Sequence, residues 1–328
     1  QSAGADSKPQ LNHRRRVKIP CEHNRLFPRS PERVLMLATH DPDTEKTGLP
    51  AWDRVTPSDI WRWPLVDLPS SSDRFLTRMV GRLALGRIAR IDGWENILPQ
   101  HDPFILAANH SCRREAVFLP ALLMLARAGR PVRFLADWNF RLIPGVGRFY
   151  NGCGAITVTR KDARPRVLNR LKPLFRTPVS PHEEVRRHLV RGGAVGIFPE
   201  GTVNRDASHL LRGRRGAARL SLESGVPVVP LGIRFGSRDP LTGAVDSSSP
   251  ISLHFGPAMQ PPDTGSRVPS PGKVTEWHAC LMVEIARLCG KTWPGPRGHE
   301  GDAEMRLARI AYTPAWCDAT TDDGELPC

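Results

Sequence analysis

Two short polar segments of the chain combine residue types that can move a proton and bind an acceptor. In the first, NHSCRRE, Glu115 follows His110 by five positions. In the second, Glu200, Gly201 and Thr202 follow a Phe-Pro pair. A carboxylate that holds one imidazole nitrogen fixes the tautomer and raises the basicity of the other nitrogen, which suits removal of a proton from an alcohol. The two segments therefore predict group transfer, with His110 as a general base and the second segment at the acceptor.

The histidine must lie in a turn rather than inside a helix. Residues five apart in a continuous helix are rotated by about 140° and would not meet. His110 follows an apolar run at 104–108, which predicts a buried strand, so it would lie where that strand ends, with Glu115 on the first turn of a helix. The second segment likewise follows an apolar run at 194–198. Open α/β sheets bind ligands at this end of their strands.

The residues of the second segment suit contact with an acceptor. Gly201 would let the backbone approach a ligand closely, because it has no Cβ. Glu200 could accept a hydrogen bond from an acceptor hydroxyl, and Thr202 offers a donor.

Apolar runs and helical patterns alternate over the central part of the chain. Strands are predicted at 104–108, 132–136, 155–158, 194–198, 226–235 and 251–255, and helices at 73–90, 116–128, 181–191, 212–224 and 273–288. This alternation predicts βαβ units. The fold class is therefore α/β: a mixed, largely parallel sheet covered by helices, with an N-terminal amphipathic helix and irregular extensions.

The composition divides the chain into three parts. Residues 1–71 are rich in Pro, Arg and Asp without sustained periodicity, and they predict an irregular extension. Residues 72–293 carry the alternating pattern of the catalytic domain, and residues 294–328 predict a loosely ordered tail.

Charge favours anionic partners. The chain has 47 Lys and Arg against 33 Asp and Glu, a net charge of +14. In the helix predicted at 73–90, Arg74, Arg78 and Arg82 fall four apart on one face, so this helix could lie on an anionic membrane surface. The alternative is that its apolar stripe packs on the domain.

Apolar runs and cysteine spacing limit the classes of protein that fit this sequence. No run of 18 apolar residues occurs, and residues 1–20 are polar and basic without the apolar segment of a secretion signal. The seven cysteines show no zinc-site spacing, and we expect reduced thiols in a cytoplasmic protein without a metal or cofactor.

Two more segments complete a recognisable order. Arg160 ends the segment GAITVTR, where a guanidinium could bind phosphate, and residues 226–230 read VPVVP. Taken together, the four segments resemble the glycerolipid acyltransferase family, typified by bacterial 1-acylglycerol-3-phosphate acyltransferases. The resemblance extends over about residues 89–293.

This resemblance implies an O-acyltransferase of phospholipid biosynthesis. It would move a fatty acyl group from acyl-CoA or acyl carrier protein to a hydroxyl of a lysolipid, most directly 1-acylglycerol-3-phosphate, at the inner face of the cell membrane. His110 matches the family's base, Glu115 occupies the place of its aspartate, and Arg160 matches the arginine linked to acceptor phosphate.

The third segment departs from the family. Glu200, Gly201 and Thr202 match, but the arginine that usually follows the threonine is Val203 in this chain. Either Arg205 takes its place, or the acceptor is not lysophosphatidate but another lysolipid, such as a lyso-ornithine lipid.

Other classes of protein fit less well. The chain has no G-x-S-x-G motif, which argues against a serine hydrolase. The glycines before Lys273 are too far apart for a phosphate-binding loop. A nucleic-acid-binding protein without catalysis would account for the charge, but aromatic residues are few and do not interleave with the basic clusters. No nucleic-acid partner is expected.

Overall fold

A computed structural model describes residues 55–159, 161–163, 165–265 and 268–296. The strands are Ile88–Asp92 (β1), Ile105–Ala108 (β2), Val132–Asp137 (β3), Ile156–Val158 (β4), Ala194–Ile197 (β5), Val228–Phe235 (β6) and Ile251–Phe255 (β7). The α-helices are Pro57–Arg62 (α1), Ser71–Leu85 (α2), Glu115–Ala126 (α3), Val146–Gly152 (α4), Pro181–Val190 (α5), Gly216–Ser224 (α6) and Pro271–Cys289 (α7). Short 3₁₀ helices cover Trp94–Ile97, Pro99–His101, Trp138–Leu142 and Arg166–Phe175.

The strands form one mixed sheet. Within the described residues its order is β1-β7-β6-β2-β5-β3-β4. The five strands from β6 to β4 are mutually parallel, whereas β7 pairs antiparallel with β6 and parallel with β1. The predicted class, a mixed and largely parallel α/β sheet covered by helices, is confirmed.

Helices cover both faces of this sheet, as the central strand β2 shows. Its Leu106 and Ala108 side chains pack with α2 and α3 on one face. Its Ile105 and Ala107 side chains pack with α5, α6 and α7 on the other face. Successive residues of a strand point to opposite faces, so a strand buried on both sides reads as a continuous apolar run.

The ordered core begins before the boundary predicted at residue 72. The capped helix α1 and the residues on either side of it bury apolar side chains in the core that α2 and α3 share, namely Val55, Ile60, Trp63, Leu65 and Leu68. The indole nitrogen of Trp63 donates to Leu125 O at 2.8 Å. Residues 55–70 are therefore part of the domain and not an irregular extension. Residues 1–54 and 297–328, including most of the predicted tail, lie outside the described residues.

The helix predicted at 73–90 is wrong at its C-terminal end. Helix α2 ends at Leu85, and the chain then forms strand β1, where Ile88 pairs with Ile251. The helix predicted at 212–224 begins late, at Gly216, because Arg214 N donates to Pro199 O at 2.7 Å and holds the preceding residues in a loop.

The exposed face of α2 is more apolar than predicted. Phe75, Met79 and Leu83 are 54%, 37% and 62% exposed, and they form what we call the apolar stripe. Arg74 and Arg78 instead lie half-buried and donate to Leu68 O and Trp63 O. A uniformly basic outer face on this helix is thus not found. No described helix is long and apolar enough to cross a membrane.

Candidate functional site

The sheet brings the two polar segments together. Strands β2 and β5 are parallel neighbours, with Ala107 opposite Ile197. Their carboxyl ends lie at the same edge of the sheet, so the residues that follow each strand meet there. The backbone N–H of His110 donates to Glu200 Oε1 at 3.0 Å.

His110 lies in the turn between β2 and α3 and is paired with Glu115, as the sequence predicts. The imidazole Nδ1 is 2.9 Å from Glu115 Oε2. Glu115 is the first residue of α3, and it also accepts from Ser111 N at 2.9 Å. The longer glutamate side chain, in the place of an aspartate, therefore still reaches the histidine. Burial raises the pKa of Glu115, and the hydrogen bond and charge of His110 oppose this rise.

The second ring nitrogen is the one available for chemistry. With a proton on Nδ1 donated to Glu115, Nε2 carries a lone pair. Within the described part of the chain, no residue forms a hydrogen bond with Nε2. The ring stacks on Phe198, with centroids 4.3 Å apart, and the side chain remains 14% exposed. Phe198 thus fixes the plane of the base while its outer edge stays open.

The Glu200 side chain binds the backbone of His110 and the loop after β5 rather than extending into open space. Its carboxylate is buried and accepts from His110 N, from Asn204 Nδ2 at 2.7 Å and from Leu211 N at 2.9 Å. Asn204 N in turn donates to His110 O at 2.7 Å. The turn that carries the base and the loop after β5 are therefore bound to each other at both backbone groups of His110. The predicted acceptor contact of Glu200 stays a prediction.

A buried lysine binds the residue that follows the histidine. Lys291, just beyond α7, is 8% exposed, and its Nζ donates to Ser111 Oγ at 2.9 Å and to Asp206 O at 2.7 Å. Sequence reasoning missed Lys291 and Asn204. Asn204 stands four residues after Glu200, a weak local signal, whereas no sequence pattern connects Lys291 with His110.

The outer rim of the site is basic. Gly201 has a φ of 70°, and a Cβ there would lie 2.7 Å from Arg214 Nε, so the guanidinium passes directly over this glycine. Thr202 and Arg205 are exposed nearby in sequence. Arg160, predicted to contact phosphate, lies outside the described residues. Arg214 was not among the predicted site residues, although it belongs to a basic cluster visible in the sequence.

The thiol of Cys112, close to His110 in the same turn, is poorly suited to act as a nucleophile. Burial and the charge of Glu115 raise the pKa of Cys112, so the reactive thiolate is disfavoured. Among the described residues, no group of three His, Cys, Asp or Glu is placed to hold a metal ion. The chemistry that this arrangement offers is proton transfer at His110 Nε2.

Comparison with known proteins finds a family model that matches the segment carrying this edge of the sheet. Residues 90–234 match the family model described as Acyltransferase, a segment that includes both polar segments and all but the last residue of β6. The crystal structure of the 1-acyl-sn-glycerophosphate (LPA) acyltransferase PlsC from Thermotoga maritima is similar with a TM-score of 0.43 and 18% identity, over 80% of this chain and 89% of that chain. No curated protein sequence matches the chain. The match of residues 90–234 to this family model agrees with the resemblance noted in the sequence.

Proposed function

We propose that this chain, whose residues 90–234 are an acyltransferase-family domain, moves a fatty acyl group from an acyl thioester to a hydroxyl of a lysolipid. The donor would be acyl-CoA or acyl carrier protein, and the acceptor 1-acylglycerol-3-phosphate. The observation that carries the proposal is the contact of His110 Nδ1 with the buried Glu115 carboxylate, which leaves Nε2 free at the ligand-binding edge of the sheet.

The reaction needs no acyl-enzyme. His110 Nε2 takes the proton of the acceptor hydroxyl as the oxygen attacks the thioester carbonyl, and the tetrahedral intermediate collapses with release of the thiolate, which receives that proton from His110. Glu115 stabilises the imidazolium that forms between the two steps. The raised pKa of Cys112 supports this direct route over a thioester on the enzyme.

An arginine-rich rim supports an anionic acceptor. Val203 stands where the family usually has an arginine, and Arg214 reaches across Gly201 from the other side of the loop. A guanidinium matches the geometry of phosphate oxygens. We assign Arg214, together with Arg205, to the acceptor's phosphate, and Arg160 remains a third candidate.

The membrane is the proposed source of the lysolipid. The apolar stripe Phe75, Met79 and Leu83 is exposed, and Trp61, 39% exposed, extends it through a ring contact with Phe75 at 5.6 Å. An amphipathic helix of this kind can rest in a lipid interface, and the chain's net charge of +14 favours anionic lipid. We therefore propose peripheral association with the cytoplasmic face of the membrane through α2.

The direct test is an acyl-transfer assay with purified protein. Lysophosphatidate, lysophosphatidylcholine and a lyso-ornithine lipid would each be offered with acyl-CoA and with acyl carrier protein. Loss of the general base in His110→Ala should lower kcat by about 100- to 10,000-fold. His182→Ala, on the exposed side of α5, is the control and should keep full activity.

The possible results separate the parts of the proposal. Transfer that survives His110→Ala would eliminate His110 as the base. Transfer to other lysolipids but not to lysophosphatidate would make a different lysolipid the acceptor. Absence of transfer to every lysolipid, with tight and strongly salt-dependent binding to duplex DNA, would replace the enzyme by a nucleic-acid-binding protein.

Membrane association is tested separately by flotation with anionic vesicles. Replacing Phe75, Met79 and Leu83 together by serine should abolish binding, because the buried apolar area is lost. Leu241→Ser is the control, since Leu241 is 94% exposed in the loop between β6 and β7 and is not part of α2. Undiminished binding of the triple variant would exclude α2 as the docking element.

A further inference from the structure

We infer that Lys291 is a positioning residue of the proposed site: its buried ammonium fixes the turn that carries His110 against the loop that follows Glu200. The inference rests on the proposed function, because it gives Lys291 a part in the same reaction. Lys291 lies beyond residues 90–234, the segment that matches the acyltransferase family model.

The end of helix α7 delivers this lysine to the site. Gly290 ends the helix in the left-handed conformation, with a φ of 70°, and Lys291 N then donates to Ala286 O at 3.0 Å. The reversal turns the Lys291 side chain inward, where it is 8% exposed. The neighbouring Thr292 N donates to Ser208 O at 2.8 Å, so this segment of chain is bound to the 204–209 loop by its backbone as well as by the Lys291 side chain.

Both acceptors of the ammonium belong to segments that hold His110. Ser111, whose Oγ accepts at 2.9 Å, also donates its backbone N–H to Glu115, the partner of the imidazole. Asp206, whose carbonyl accepts at 2.7 Å, lies two residues after Asn204, which binds both His110 O and Glu200. Lys291 therefore joins the two segments through its side chain.

Stability alone does not account for a lysine at this position. Lysine usually keeps its charged end in water, and burial of an unpaired ammonium costs free energy that an apolar side chain would not. In the described part of the chain, Lys291 forms no ion pair with a carboxylate. Its two acceptors are neutral oxygens: one belongs to Ser111, the residue after His110, and the other to Asp206, in the loop whose Asn204 N donates to His110 O. The two hydrogen bonds therefore explain why a lysine lies at this site, whereas packing does not.

The test compares Lys291→Met with Lys273→Met, a lysine exposed at the other end of the same helix. Methionine keeps the length of the side chain and removes the charge and the donors. Acyl transfer would be measured at a temperature at which circular dichroism shows every variant folded. For Lys291→Met we expect kcat to fall about 10- to 100-fold, because the base is displaced, with KM for both substrates within about twofold of wild type. Lys273→Met should match wild type in both constants.

Ser111→Ala provides a second, independent arm. It keeps the lysine and removes one of its two acceptors, so kcat should fall by less than in Lys291→Met, again without a change in KM. In the double variant, kcat should fall no further than in Lys291→Met, since the two residues act through one contact. If Lys291→Met does not fold, Ser111→Ala decides alone, and a wild-type kcat for it overturns the inference.

Failure of this inference is distinct from failure of the proposed function. If His110→Ala loses transfer while Lys291→Met keeps a wild-type kcat, the proposed function is supported and the role of Lys291 is refuted. A rise in KM with unchanged kcat, or losses that multiply in the double variant, would refute it equally. Retained transfer in His110→Ala would instead refute the function on which the inference rests.

Discussion

Replacing Glu200 with glutamine keeps the size of the side chain, removes its charge, and should displace the turn that carries His110. One Glu200 oxygen accepts from His110 N, and the other accepts from Asn204 Nδ2 and Leu211 N. A glutamine has a single acceptor oxygen, while its amide nitrogen only donates. The oxygen should therefore stay where two donors converge, and the amide nitrogen would face the His110 N–H, donor against donor.

The contacts set the size of the effect. Hydrogen bonds to a charged group contribute about 1.5 to 3 kcal/mol each, and an unpaired buried donor costs about 1 to 3 kcal/mol. Glu200→Gln loses one such bond, leaves the His110 N–H unpaired and weakens the other two bonds. We expect the free energy of unfolding to fall by about 3 kcal/mol. Because the base moves with its turn, kcat/KM should fall about 10- to 100-fold.

Denaturant unfolding and acyl-transfer kinetics on the same preparation check both numbers. Glu183→Gln on α5 is the matched control, since the Glu183 side chain is 30% exposed and its carboxylate binds Arg186 and Arg187 of the same helix. If Glu200 contacts only the acceptor, Glu200→Gln will raise KM for the acceptor and leave the stability of the free protein unchanged. That pattern would refute the positioning role derived from the three hydrogen bonds.

Three further substitutions extend the test. Glu115→Gln should lower kcat about 100- to 10,000-fold in steady-state assays, because a neutral amide neither fixes the tautomer nor stabilises the imidazolium, and a smaller loss than tenfold would contradict this. Arg214→Ala should raise KM for a phosphorylated acceptor about tenfold and leave KM for a neutral lysolipid unchanged, with Arg219→Ala on α6 as control; equal effects on both acceptors would exclude a phosphate contact. For His188, burial and then the charge of Arg133 lower the pKa from 6.5 to about 4, so the stability that its neutral form contributes is present above pH 6.5 and is lost as the pH falls towards 4. The effect is reduced because His188 is only partly buried. Between pH 7 and pH 5, the free energy of unfolding should fall by about 1 kcal/mol more for wild type than for His188→Leu, and equal falls would contradict the shift.

Local patterns were sufficient to predict most of the sheet and the central pair of the site. Buried strands read as apolar runs because both faces of the sheet are covered, and the helices between them carry caps and stop signals such as Gly225 and Gly290. The contact of His110 with Glu115 lies within a single turn, and the spacing together with the strand predicted before it indicated that contact. The strand β1 was missed because only its pairing with β7, far along the chain, distinguishes it from the end of a helix.

The rest of the site depends on the path of loops that no local pattern specifies. Lys291 stands 180 positions from Ser111 in the sequence, and only the folded end of α7 brings the two together. Glu200 was predicted to face an acceptor because its motif lies at the correct edge of the sheet. Its partners are His110 N from the turn after β2 and two donors from the loop 204–211, which long-range contacts bring to it. Motif position therefore predicted where the residue lies, but not which group it binds.

The two carboxylates that meet at His110 divide one task between them. Glu115 binds the side chain through Nδ1, and Glu200 binds the backbone through N–H. A histidine held only by its side chain could still move with a flexible turn, and one held only by its backbone could rotate about its side-chain torsions. Since a near-attack geometry requires both position and orientation to be fixed, neither contact is sufficient by itself.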